Sequence, residues 1–134
     1  MFIQPYLFFD GRCDEAIEFY KKAIGATVDM LMRFKQAPDQ SMILPGSADK
    51  VMHSCLKIGE TRLMASDGRN TGKPKFDGFA LSLDVKTDAD AQTMFKALSD
   101  GGEVTMPFGS TFFATSFGMV KDRFGVNWMV LKAK

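Results

Sequence analysis

The sequence predicts an α+β protein of two successive βαβββ half-modules, spanning residues 1–70 and 76–134 of one 134-residue domain. Apolar residues recur at helical spacing in two short stretches, 13–24 and 91–98. Each stretch follows one strand-like segment and precedes three. The two stretches also superimpose on each other, with Ala16 over Ala91, Tyr20 over Phe95 and Lys21 over Lys96, an internal repeat at an offset of 75 residues.

Phe2 to Phe9 is almost continuously apolar and aromatic, which predicts a strand covered on both faces. Asp10 and Gly11 mark a turn. From Cys13 to Ile24 the stripe Ala16, Ile17, Tyr20, Ala23 and Ile24 predicts an amphipathic helix. Asp14 and Glu15 suit its positive N-terminal end, Lys21 and Lys22 its C-terminal end, and Gly25 its stop. Ala26 to Phe34 reads as a strand. Gln36 to Lys50, with Pro38, Pro45 and Gly46, reads as a long loop of the kind that often carries function. Val51 to Ile58 and Thr61 to Ser66 form a hairpin about Gly59 and Glu60, and Gly68 to Lys75 has the composition of a linker.

The order then repeats. Phe79, Leu81, Leu83 and Val85 alternate with Ala80, Ser82 and Asp84 at a period of two. Thr87 or Asp88 caps a helix whose stripe is Ala91, Met94, Phe95 and Leu98, ended by Gly101 and Gly102. Strands are expected at Glu103 to Pro107, Thr115 to Val120 and Val126 to Leu131. The hairpins align less closely than the helices, Gly59 standing opposite Gly125 at an offset of 66, so the second half carries a shorter loop after its helix.

Composition narrows the function. Seventeen Lys and Arg against sixteen Asp and Glu leave a formal charge of +1, with no field to recruit nucleic acid or an anionic membrane. No apolar run approaches the roughly 20 residues that span a bilayer, and Met1 to Asp10 has no signal-peptide pattern, so a cytoplasmic location is expected. Cys13 and Cys55 lie in no metal or redox spacing and read as structural thiols. Thirteen Phe and ten Met can line a pocket as readily as fill a core.

Several segments in order along nearly the whole chain carry a resemblance. Pro5-Tyr6-Leu7 with Phe9-Asp10-Gly11, Glu15-Ala16 with Phe19-Tyr20, and Met52-His53 come first. Met64 with Ser66-Asp67, Phe117-Gly118, then Asp122-Arg123-Phe124-Gly125 and Trp128 follow. Together they resemble the PhnB-like branch of the glyoxalase, bleomycin-resistance and dioxygenase (vicinal-oxygen-chelate) superfamily. The resemblance implies that each βαβββ half curves into a cup-shaped mixed sheet that binds a ligand, and that the protein is a homodimer. Members of the branch also carry a ubiquinone-methyltransferase description, yet no glycine-rich strand-to-helix turn for a nucleotide-like methyl donor is present.

Metal-dependent members of the superfamily hold a divalent ion with four His or Glu side chains, whose oxygen and imidazole donors suit such an ion. Carried over residue by residue, the four positions fall on Pro5, on Leu63 or Met64, on Ala80 with Ser82 nearby, and on Met129. None supplies a suitable donor, so no metal and no cofactor are expected.

His53 is the single histidine and the natural candidate for a general base or a ligand-binding group, or else a half-buried residue satisfied by a backbone carbonyl. Ser82 is expected to look into the cup and Asp84 to sit in solvent, while Arg62 reads as a surface charge on the hairpin or else as a clamp for an anionic substrate. Met106 to Phe113 suits a loop over a pocket mouth, though Phe108, Phe112 and Phe113 fit core packing equally. The expected ligand-binding set is therefore His53, Ser82, Phe108, Phe112 and Met129. The expected function is binding of a small apolar or aromatic molecule without the usual metal. The alternative is a dioxygenase, isomerase or thiol transferase using a rearranged metal site or His53 as base.

Overall fold

The computed structural model describes residues 1–68 and 72–134. The chain forms two compact units, Met1–Pro74 and Lys75–Lys134. The first runs β1 (Tyr6–Phe8), α1 (Cys13–Ile24), β2 (Thr27–Arg33), β3 (Val51–Ile58) and β4 (Thr61–Ser66), forming one sheet in the order β1-β4-β3-β2. The second runs β5 (Leu81–Asp84), α2 (Asp88–Ser99), β6 (Glu103–Gly109), β7 (Ala114–Lys121) and β8 (Asn127–Ala133), in the order β5-β8-β7-β6. In each sheet the first strand is parallel to the last and the other neighbours are antiparallel. These are the predicted α+β half-modules, each a mixed sheet with one helix.

Both helices follow from their sequences. α1 buries Ala16, Ile17, Tyr20, Ala23 and Ile24, and Gly25 ends it in the left-handed region at φ 70°. At α2 the structure chooses Thr87 as the cap, its hydroxyl accepting from Asp90 N at 3.0 Å. Asp88 instead accepts from the Thr115 and Ser116 hydroxyls, each at 2.6 Å, which ties α2 to β7. The two hydroxyls, Ser116 first, hold the Asp88 carboxyl below its usual range. An added Cβ at Gly118 would lie 2.6 Å from Phe95 Cε2, so only glycine lets that α2 ring sit on β7.

Several boundaries differ from the sequence expectation. β1 is three residues long rather than Phe2 to Phe9, and Phe2 and Ile3 are exposed. Its partner β4 pairs only from Met64 onward, and Pro5 contributes a carbonyl but no N–H. The strand is not covered on both faces either: Leu7 and Phe9 are buried while Phe8 is 53% exposed. The expected loop after β2 contains short 3₁₀ turns at Phe34–Gln36 and Gln40–Met42. β6 extends through Pro107 to Gly109, because a proline fits an edge strand whose N–H side is unpaired. Only 110–113 then remain of the loop expected over a pocket mouth. Of the expected connection Gly68 to Lys75, residues 69–71 lie outside the described residues.

One buried carboxylate organises each unit. Asp67, at the end of β4, accepts from Gly11 N at 2.7 Å and Cys13 N at 2.8 Å through Oδ1, and from Val51 N at 2.8 Å through Oδ2. It thereby joins the β1–α1 turn, the first residue of α1 and the start of β3. In the second unit, Asp122 Oδ1 accepts from Phe124 N at 2.9 Å and Val126 N at 3.0 Å, and Oδ2 accepts from Trp128 Nε1 at 2.9 Å. Hydrogen bonds to a charged acceptor are the stronger kind, and buried N–H groups left without one carry the full desolvation cost.

Asp67→Ala should therefore cost about 3–5 kcal/mol in urea unfolding, since it strands three backbone donors and leaves a void. Asp67→Asn should cost less, because one oxygen can still serve Gly11 and Cys13. Equal losses in the two variants would mean that side-chain volume, not the acceptor set, is what matters.

Candidate functional site

Alternation along the first sheet sorts its side chains onto two faces. Leu7, Phe9, Ser54, Leu56, Leu63 and Ala65 are buried on the helix-covered face. The pairings Tyr6 with Met64, Cys55 with Met64 and with Met30, and His53 with Met32 place these residues on the opposite, open face, and Phe8 joins them. That face is mostly thioether and aromatic surface.

His53 lies toward one end of it. Its Nδ1 stands 2.8 Å from Tyr6 Oη, and the two rings tilt against each other at 5.5 Å. Tyr6 in turn stacks on Phe8 with ring centroids 5.0 Å apart. The partner of His53 is thus a phenol, neither a backbone carbonyl nor a carboxylate. Asp67 is committed to three backbone amides. The hydrogen bond couples the roles of the two groups. With the phenol donating, Nε2 carries the proton and can donate to a ligand; with Nδ1–H donating, Nε2 is the acceptor and the phenol hydrogen is free.

At the far end of the same face, Lys57 pairs with Arg62 across β3 and β4. Arg62 Nη1 lies 3.5 Å from Asp29 Oδ2 and 3.9 Å from Cys55 Sγ. Arg62 is exposed, as expected, but it belongs to the rim of this face. The other cysteine is a different case: burial, then the nearby Asp67 carboxylate, pushes the Cys13 thiol up to about 12.

The remaining candidates lie in the second unit. Ser82 and Met129 are paired neighbours on β5 and β8, on the face away from α2. Phe108 packs against Phe95 of α2, ring centroids 5.1 Å apart, which places it with the helix packing. Phe112 is 89% exposed and meets Phe113 edge-on, and Phe113 meets the buried Phe117 in the same way. Asp84 is exposed. The sequence expectation missed Tyr6, although Phe2 to Phe9 contains one polar-tipped aromatic two residues from Phe8, which is the signal for a half-open strand.

The superfamily's divalent ion does not fit the donors present. Pro5 offers only a carbonyl, which accepts from Met64 N at 3.0 Å. Ala80 has no donor, and the thioethers of Met64 and Met129 are too soft for a hard ion. Among the described residues, no three His, Cys, Asp or Glu side chains gather as a metal site.

Two measurements test this geometry. Tyr6→Phe should bring the two imidazole nitrogen NMR shifts of His53 closer together as the tautomers mix; unchanged shifts would mean that the phenol does not set the tautomer. With an aromatic disulfide reagent at about pH 8, the native chain should expose one thiol, Cys55, and the denatured chain two. Because Cys13 titrates near 12 when folded against 9.0 for a free thiol, its contribution to stability should be complete below pH 9 and fall as pH rises toward 12. Cys13→Ala should flatten that fall.

Comparison with known proteins agrees with the architecture. Residues 2–131 match the family model described as 3-demethylubiquinone-9 3-methyltransferase. Protein YjdN of Escherichia coli (strain K12) is 32% identical over 96% of this chain and 92% of its own. Protein PA1353 of Pseudomonas aeruginosa superimposes with a TM-score of 0.88 at 41% identity, covering 99% of this chain and 98% of that one. The PhnB protein of Bacillus cereus gives 0.80 at 24% identity, covering 99% and 100%. A glyoxylase/bleomycin resistance protein/dioxygenase domain of Frankia sp. EAN1pec shares the fold, with a TM-score of 0.65 at 15% identity, covering 100% and 98%. The paired βαβββ units, the relative at 32% identity and the match over residues 2–131 place the chain in the family that this model describes, with a fold it shares with the glyoxylase/bleomycin resistance protein/dioxygenase domain.

Proposed function

We propose that the chain binds a small apolar or aromatic molecule on the open face of its first unit, without the metal that the wider superfamily uses. The observation that carries this is the Tyr6–His53 hydrogen bond, a polar pair set among Phe8, Met30, Met32 and Met64. Apolar surface with a few placed polar groups is the usual make-up of a ligand site. Thioethers adapt to varied shapes, and the Tyr6 and Phe8 rings offer stacking surface. Ser82, Met129, Phe108 and Phe112 belong to the same proposal as ligand contacts of the second unit taken by itself. The proposal also has the protein acting as a cytoplasmic homodimer, supported by the exposed apolar side chains of Phe2, Ile3, Val104 and Met106.

Transfer of a methyl group from a nucleotide-like donor has less support, despite the family description. The first amide of α1, where such a turn would offer a free N–H, already donates to Asp67. A second reading, an isomerase, dioxygenase or thiol transferase of the superfamily, draws support from the same Tyr6–His53 bond, which orients His53 as a general base.

A broad thermal-shift screen on metal-free protein should return aromatic compounds that raise Tm, with the shifts lost in His53→Ala. No hit in the screen would remove the binding proposal. Stoichiometric metal in purified protein, lost on His53→Ala, would favour the enzyme reading instead.

A further inference from the structure

We propose that the ligand of the first unit's open face is an aromatic acid, its ring over Tyr6, Met64 and Cys55 and its anionic group held by Lys57 and Arg62. The proposal rests on the assignment of this face as the ligand site and adds the charge class of the ligand.

The face is graded along its strands. His53 and Phe8 lie at one end, the Tyr6, Met64, Cys55 and Met30 row in the middle, and the directly opposed pair Lys57 and Arg62 at the other end. Like charges directly opposite each other repel, so the pair costs stability and calls for a counter-charge. Asp29 lies against Arg62, at 3.5 Å, and leaves one cation in excess. The Lys57 ammonium has no hydrogen-bond or ion-pair partner among the described residues, and its other strand neighbour, on β2, is Thr27.

The second unit provides an internal contrast. There Lys121 holds the comparable place at the end of β7, but it stands between Asn127 and Glu103, so an acid of the chain itself faces it. In the first unit, no carboxylate of the sheet stands opposite Lys57.

Spacing sets the size of the ligand. Residues on one face of a strand recur about every 6.6 Å, a step that an aromatic ring and its acid substituent cover. An acid group at Lys57 and Arg62 therefore puts the ring on the middle row. Two steps from Lys57, His53 and the Tyr6 phenol meet whatever polar group the ring carries at its far side. Arg62 can offer its planar fork to a carboxylate while Lys57 supplies a point charge.

The probes are 2-naphthoate and its uncharged counterpart 2-naphthamide, titrated into the full chain by calorimetry at low and high salt. Naphthoate is expected to bind about tenfold tighter than naphthamide at low salt, as a charge-assisted contact predicts. Lys57→Gln, alone and with Arg62→Gln, is expected to remove the preference for naphthoate over naphthamide. High salt should act in the same direction. Equal affinities for the two probes, or a naphthoate preference that survives both substitutions and salt, would overturn the acid assignment while leaving aromatic binding in place. Failure of both probes, against hits from neutral compounds in the broad screen, would overturn it as well. Loss of every hit in that screen would remove the binding proposal itself.

Discussion

The Asp67 carboxylate is the constraint on which the first unit turns. A short β1, a helix with no side-chain cap and an edge entry into β3 would each leave a backbone amide unpaired, and Asp67 collects all three. A charged acceptor in that position does what a helix cap, a turn and another rung of ladder would otherwise do separately. With β1, α1 and β3 tied to one point, Tyr6 and His53 come within hydrogen-bond reach although 47 residues separate them.

The second unit solves a related problem with a different residue. Asp122 closes the turn before β8 and receives the indole N–H of Trp128, so its carboxylate fastens a hairpin instead of a helix entry. The repeat is thus one of topology and strand order, while the polar anchors have diverged. The same divergence separates the open faces, one carrying a phenol–imidazole pair and the other Ser82 beside Met129.

The chemistry available to the first open face follows from that arrangement. Tyr6 and His53 can exchange donor and acceptor roles, which suits recognition of a polar substituent on an otherwise apolar molecule. Thioethers from two strands surround them, and the cationic edge lies at the far end. The four positions to which the resemblance would assign metal ligands hold Pro5, Leu63 or Met64, Ala80 and Met129, none with a donor side chain that suits a hard ion.

Local periodicity was enough to locate α1 from Cys13 to Ile24 and the β3–β4 hairpin to the residue, because helix stripes and hairpin glycines are local signals. The short motifs pointed to the family for a similar reason, their order surviving in the linear chain. Three things were beyond that reach. The length of β1 depends on how far β4 extends beside it, the choice of Thr87 over Asp88 depends on hydroxyls contributed by β7, and the inclusion of Pro107 in β6 depends on its lying at a sheet edge. The sequence by itself determined the two βαβββ units, since patterning specifies which elements form. Only the tertiary structure decided that His53 meets Tyr6 and that Lys57 faces Arg62, because strand register joins residues far apart in the chain and a shift of one residue would turn each of them to the other face.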